Sequence, residues 1–354
     1  MNSILKVMMR QNFKSQIGLI THRLIFDERF LRIDRFREEQ GKLKEKYLQT
    51  KDTLEKNVEY QIQNPSAKIN VSNIKKLLRL SSNSSDVKLI KELIKKIVQK
   101  NILSPNEIRG LVIQLIRLIY VLDLIEQAME LYSDADLSQF VSGSFGSLIV
   151  MNKLLCLKQY EKVIEIFEYQ LDDYSKNVSF SNNANEEFRQ TIPFDHLDCV
   201  AEALLAINSV QAIDKLKYLE KILNEKNSNF GRRAVARLFL LCINQNEPSM
   251  GLELVHKYPF SIDLRLNLEI IALCHLGKVS NAFVLADEMF NIISNEHQKF
   301  SGKFFPAVIR AFEEAIKKSD QTAGFSNKLD ILRHKIYSQK RLSNNDLTEY
   351  CSNK

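Results

Sequence analysis

The stretch SFGSLIVMNKLLCLKQYEKVIEIFE, residues 144–168, reads as a pair of helices joined by a short turn. Its second half sets Tyr160, Val163, Ile164 and Phe167, with Leu171 beyond, at three- and four-residue steps, which makes one face of a helix apolar. A similar second helix recurs at 279–293 (Ala282, Leu285, Ala286, Met289, Ile293), at 86–100 (Ile90, Leu93, Ile94, Ile97) and at 123–132 (Ile125, Ala128, Met129, Tyr132). Weaker copies lie at 210–226 and 248–257. Anchored on Ile90, Ala128, Val163, Ile213, Gly251 and Ala282, the copies are spaced by 38, 35, 50, 38 and 31 residues. The longest interval contains YSKNVSFSNNANEEFRQ (174–190), a Ser- and Asn-rich run without an apolar period, which predicts a surface loop. Without that insertion the period is near 35. A helix pair repeated at this interval cannot bury its own apolar face and must stack on its neighbours. The alternative is an irregular helical bundle.

Composition agrees with an all-α fold. Ten glycines and six prolines in 354 residues are too few for the many tight turns of a sandwich, a barrel or a doubly wound sheet. Working outward, residues 27–62 carry Leu43, Tyr47, Leu54, Val58 and Ile62 at near-helical spacing and stop before Pro65, which predicts an amphipathic helical cap over 24–65. The repeats then occupy 66–297, and 298–354 form a C-terminal helical cap and tail. At the amino terminus Lys6, Arg10 and Lys14 fall on one helical stripe beside Leu5, Met9, Phe13 and Ile17, with no acid before residue 27. That pattern predicts a mitochondrial transit peptide over 1–23 and hence a matrix location; a basic tail is the plain alternative. The longest apolar stretch, around 111–122, is broken by Gln114 and Arg117, so no membrane span is expected.

Catalytic chemistry finds no foothold. The five cysteines, at 156, 199, 242, 274 and 351, have no CxxC spacing and read as buried reduced thiols, and the six histidines are scattered. No phosphate loop, HExxH or dinucleotide fingerprint occurs. Asp195, His196, Asp198 and Cys199 are close in sequence, but neighbouring positions on one helix point about 100° or more apart and do not converge on a substrate. The expectation is a protein that is not an enzyme and that takes no metal, cofactor or small-molecule substrate.

Two stretches resemble the pentatricopeptide repeat: YEKVIEIFE (160–168) and LRLNLEIIALCHLGKVSNAFVLADEMF (264–290), the latter with a leucine-glycine-lysine turn before an alanine-centred helix. The tetratricopeptide repeat has nearly the same period, but its pattern wants a tryptophan and this chain has none. The succession TKDT (50–53), NIKKLLRL (73–80), SDVKLIKELI (85–94) and GRRAVARLFLLCINQNE (231–247) is similar to mitochondrial members of that family. The resemblance implies a right-handed helix-hairpin solenoid of about six pentatricopeptide-like repeats, with first helices lining a face that binds single-stranded mitochondrial RNA. It implies a role in maturing mitochondrial mRNA for respiratory-chain subunits, with a separate nuclease performing any cleavage. A protein-binding scaffold, such as a respiratory-complex assembly factor, is the other function class.

The RNA reading makes a charge prediction. First-helix windows hold ten basic and five acidic residues, and second-helix windows twelve and fourteen, so the first helices carry the excess needed to meet phosphates. The candidate contacts are Arg232, Arg233 and Arg237, then Lys75, Lys76 and Arg79, then Arg109 and Arg117. The arginine trio has a competing reading: ion pairs to Asp195, Asp198 or Glu202 in the adjacent repeat. For base reading, alignment with the family pattern puts Asn267 at the recognition position, where an amide offers both a donor and an acceptor. The same alignment at 142–173 gives Gly146 or Leu148, neither able to read a base, so no RNA sequence can be decoded.

Overall fold

A computed structural model describes residues 25–64, 66–141, 145–178, 192–226, 228–291, 302–319 and 322–352. The transit-peptide expectation lies outside these residues, and so does most of the 174–190 insertion. Among the described residues the chain is helical, with one isolated parallel bridge between Phe304 and Leu342.

Helices alternate between two roles. The first of each pair are α1 (Ile33–Tyr47), α3 (Val71–Leu80), α5 (Pro105–Val121), α8 (Phe145–Cys156), α10 (Phe194–Ile207), α12 (Arg232–Asn244), α14 (Ile262–His275) and α16 (Pro306–Lys317). Their partners are α2 (Lys51–Gln63), α4 (Ser84–Gln99), α6 (Ile125–Ser133), α9 (Tyr160–Val178), α11 (Val210–Glu225), α13 (Pro248–Lys257), α15 (Val279–Asn291) and α17 (Thr322–Ser338). Two short helices stand apart: α7 (Ser138–Val141) and α18 (Leu347–Ser352). Every first helix packs against the next first helix, and every second helix packs against the first helix that follows it. Helix α9 runs to Val178, so the insertion begins as helix and not as the loop its polar composition predicts.

Local chemistry explains the boundaries. Pro105, Pro248 and Pro306 each open a helix, where a missing N–H costs nothing. Asn70, Asn83 and Ser209 cap their helices by accepting from Ser72, Asp86 and Ala212 N–H. Glu107 reaches back to Ser104 N–H at 3.0 Å, and these bonds hold its carboxyl below the usual range.

The turn inside the pairs has a common form. Asp123, Lys158, Asn208, Asn246 and Gly277 all adopt positive φ, between 46° and 72°. Each stands five residues before an anchor of the sequence period, so the turns repeat the 35, 50, 38 and 31 spacings. In four of them the next N–H bonds the carbonyl five residues back: Leu124 to Ile119, Gln159 to Leu154, Glu247 to Cys242 and Lys278 to Leu273. This Schellman closure needs a residue that tolerates the left-handed region, and Asn, Asp and Gly do so readily.

The core runs the length of the array in two clusters, from Ile25 to Tyr258 and from Phe239 to Leu347. Helix α4 shows the rule, burying Val87, Ile90, Leu93, Ile94 and Ile97, each worth about 1.5–3 kcal/mol relative to exposure. Gly251 lets α13 approach α12 closely, since a Cβ there would lie 3.2 Å from the Phe239 ring. Cys199, Cys242, Cys274 and Cys351 are buried and Cys156 is half-buried, all as free thiols.

Candidate nucleic-acid interface

The second helices use their charges on one another. Lys51 of α2 meets Asp86 of α4 at 2.8 Å, Lys91 of α4 meets Glu130 of α6 at 3.4 Å, and Lys162 of α9 meets Glu126 of α6 at 2.8 Å. Lys215 of α11 pairs with Glu168 of α9, Lys257 of α13 with Glu220 of α11 at 2.9 Å, and Lys335 of α17 with Asp287 of α15 at 3.0 Å. Each pair links one second helix to the next. Asp86 is the most enclosed: burial would raise its carboxyl, but Lys51 and the Ser82 N–H bring it below the ordinary range.

First-helix cations divide into two groups. Arg79 donates Nε and Nη2 to Glu39 at 3.0 and 2.7 Å, donates Nη2 to Gln114 at 2.9 Å, and lies 4.1 Å over the Phe36 ring. Burial would raise the Glu39 carboxyl, but Arg79 and then Arg35 hold it below its usual value. Lys153 is taken by Asp123 at 2.7 Å, and Arg265 by Glu269 at 3.4 Å.

Three predicted contacts are corrected outright by burial. Arg117 is 8% exposed and donates Nε to the Leu31 carbonyl at 3.2 Å, 86 residues earlier in the chain. Arg237 is 2% exposed: Nε donates to Glu202 at 2.7 Å, Nη1 faces Asp198 at 3.5 Å as an ion pair too long for a hydrogen bond, and Nη2 donates to the Cys351 carbonyl. The competing ion-pair reading of the arginine trio holds for this member. Asn267 is 0% exposed, and its amide is spent on the Asp263 and Lys303 carbonyls at 2.7 and 2.9 Å and the Phe305 N–H at 2.8 Å. It splices α14 to the segment before α16 and presents nothing to a base.

The other candidates stay accessible. Lys75, Arg109 and Arg232 are exposed and Arg233 is half-buried; none has a hydrogen bond or ion pair among the described residues. Lys76 is half-buried, with Nζ 5.5 Å from the centre of the Tyr47 ring. Half of the ten basic residues in the first-helix windows thus remain available to a ligand.

Two features escaped the sequence reading. His196 Nε2 lies 2.8 Å from Ser147 Oγ, a serine–histidine contact between α10 and α8, with both side chains buried in the packing. The first and last described segments also lie on the first helices. The Phe26 N–H and carbonyl exchange two bonds of 3.1 Å with the Asn152 amide of α8, and α18 packs on α12. No signal in sequence spacing links such distant segments. A cavity of about 280 Å³ lined by Cys274, His275, Glu314 and Lys318 includes none of these five cations. Among the described residues no cluster of His, Cys, Asp and Glu could hold a metal, and no helix is long and apolar enough to cross a membrane. No family model matches the chain, and no curated protein or solved structure matches it either, so the resemblance to pentatricopeptide proteins stands on its motifs alone.

Proposed function

We propose that the chain is a right-handed helix-hairpin solenoid of pentatricopeptide-like repeats that binds single-stranded RNA in the mitochondrial matrix. The observation that carries the reading is that Lys75, Lys76, Arg109, Arg232 and Arg233 on the first helices make no hydrogen bond or ion pair among the described residues, while cross-helix pairs such as Lys51–Asp86, Lys162–Glu126 and Lys257–Glu220 tie the second helices together. Cations without an ion pair on α3, α5 and α12 suit a polyanion, whose binding is driven by counterion release. With Asn267, Arg117 and Arg237 enclosed, recognition is of the phosphate chain and its bases by stacking, not a base-by-base code. In this reading the protein holds a precursor transcript and presents it to a separate nuclease, contributing position and not bond cleavage, so that its loss impairs respiratory-chain subunits. Crosslinking in mitochondria followed by sequencing of bound RNA tests this: enrichment of discrete mitochondrial transcripts supports it, and recovery no greater than from an untagged control refutes it.

A protein-binding scaffold is the second reading, and one observation favours it. Arg117, Asn152 and Arg237 on the first helices all bond main-chain groups of distant segments, at Leu31, Phe26 and Cys351. A row that holds peptide backbone in this way suits a polypeptide ligand. Crosslinking mass spectrometry with a partner protein on these helices, and no RNA, would favour it.

A further inference from the structure

Before α1 begins, the chain lies across two first helices. Phe26 exchanges two bonds with Asn152 of α8, and the Leu31 carbonyl accepts from Arg117 of α5, so residues 26–31 are tied to both. Between these anchors the backbone makes one closed helical turn. Asp27 Oδ1 accepts from Phe30 N–H at 2.7 Å, and Leu31 N–H bonds the Asp27 carbonyl at 3.2 Å. Ile33 N–H bonds the Glu28 carbonyl at 2.8 Å, and Arg32 N–H bonds the Arg29 carbonyl at 3.0 Å. Arg32 stands at φ 56°, so this is a Schellman closure with an arginine in the left-handed place.

Phe30 is carried on that turn. Its ring stacks on Phe26, with centroids 5.1 Å apart and planes inclined by 22°, and meets Phe145 of α8 at 5.9 Å and 51°. Phe26 is buried, whereas Phe30 remains 41% exposed. Arg29 precedes the ring and Arg32 follows two residues on. Both are exposed, and neither side chain makes a hydrogen bond or ion pair among the described residues. The neighbouring acids are engaged elsewhere: Asp27 caps the turn, Glu28 pairs with Arg37, and Asp34 accepts from the Arg35 N–H at 2.7 Å. An exposed ring held by other rings, with an unpaired cation on either side of it in one hydrogen-bonded turn, suits a single-stranded nucleic acid. Every base has a face to stack and every link a phosphate to meet.

We propose that Arg29, Phe30 and Arg32 form one nucleotide-binding position, in which a base stacks on the exposed side of the Phe30 ring and the two guanidiniums take its phosphate. The segment that sequence marks only as a helical cap thereby becomes part of the RNA surface. The inference rests on the RNA reading above. Its test is a fluorescence-anisotropy titration of a labelled uridine-rich oligonucleotide against the full chain, the variants Phe30→Leu and Phe30→Tyr, and the double variant Arg29→Gln/Arg32→Gln. Losing the stacked base should weaken binding about tenfold in Phe30→Leu, whereas Phe30→Tyr keeps the ring and stays within about twofold. The arginine pair should lose one phosphate contact, which makes the log–log salt slope shallower by about 0.7. Arg32→Gly separates binding from folding: glycine suits the left-handed position, so the melting temperature holds or rises while affinity for the oligonucleotide falls. Irradiation of the wild-type chain with 5-iodouridine in the oligonucleotide should give an adduct on the peptide carrying Phe30. Unchanged affinity in Phe30→Leu or Arg32→Gly, an unchanged slope in the arginine pair, or adducts only elsewhere overturns this position alone. A wild-type chain that binds no oligonucleotide overturns the RNA reading first and this position with it.

Discussion

Arg237 carries a charge where water does not reach, between Glu202, Asp198 and a backbone carbonyl. Burial raises the Asp198 carboxyl, opposed by Arg237 and then Arg233, so this acid is the least well supported of the group. Removing the guanidinium leaves Glu202 without its ion-pair partner and Asp198 with only the weaker influence of Arg233, which costs about 3–5 kcal/mol for a buried pair. Arg237→Met should therefore shift the denaturant midpoint strongly, while Arg232→Gln, exposed on the same helix, should stay within about 0.5 kcal/mol. Equal, small shifts in both would contradict the placement of Arg237. Asp86 makes a pH-dependent counterpart. Its folded pKa lies below the ordinary 3.8, so its stabilising contribution is complete above that value and is lost as pH falls through it and then through the folded value. Asp86→Asn should cost about 1–3 kcal/mol at neutral pH and should flatten the fall in stability between about pH 5 and pH 3. An unchanged acid limb would show that Lys51 does not act on this carboxyl in the folded chain.

The hairpin is the element that repeats, and its turn can be tested by itself. Lys158 occupies the left-handed position that Asn208, Asn246 and Gly277 fill elsewhere, at a penalty of about 1 kcal/mol for a side chain with Cβ. Lys158→Gly should raise stability by about 0.5–1 kcal/mol in thermal or chemical unfolding, and a loss of stability would mean that the turn is not closed as described. Between elements, the Lys257–Glu220 bridge should show a coupling of about 0.2–1 kcal/mol in a double-mutant cycle, reduced by salt. The helical period was legible in sequence because it depends on neighbours, through apolar steps of three and four, and the structure adds a positive-φ turn residue five positions before five of the six anchors. Helix α9 was only half legible, because a Ser- and Asn-rich composition says little about where a helix frays.

At the scale of the molecule, charge was the less legible quantity. Counting basic residues treats each as exposed, yet Arg117 is enclosed by Leu31 and Arg237 by Cys351, 86 and 114 residues away. Arg233 and Arg237 share a helical face on paper; in the folded chain one is half-buried and the other sealed beneath α18. What survives is a set of first helices with five cations that make no hydrogen bond or ion pair, beside second helices joined by pairs such as Lys51–Asp86 and Lys257–Glu220. The direct measurement is the affinity of the full chain for a single-stranded oligonucleotide between about 50 and 200 mM salt, beside a variant with Lys75, Arg109, Arg232 and Arg233 replaced by glutamine. Four to five phosphate contacts predict a log–log slope near −3, at about −0.7 each, and little residual binding in the variant. A slope near zero, or equal binding by both proteins, would contradict the claim that these unpaired cations form a nucleic-acid surface.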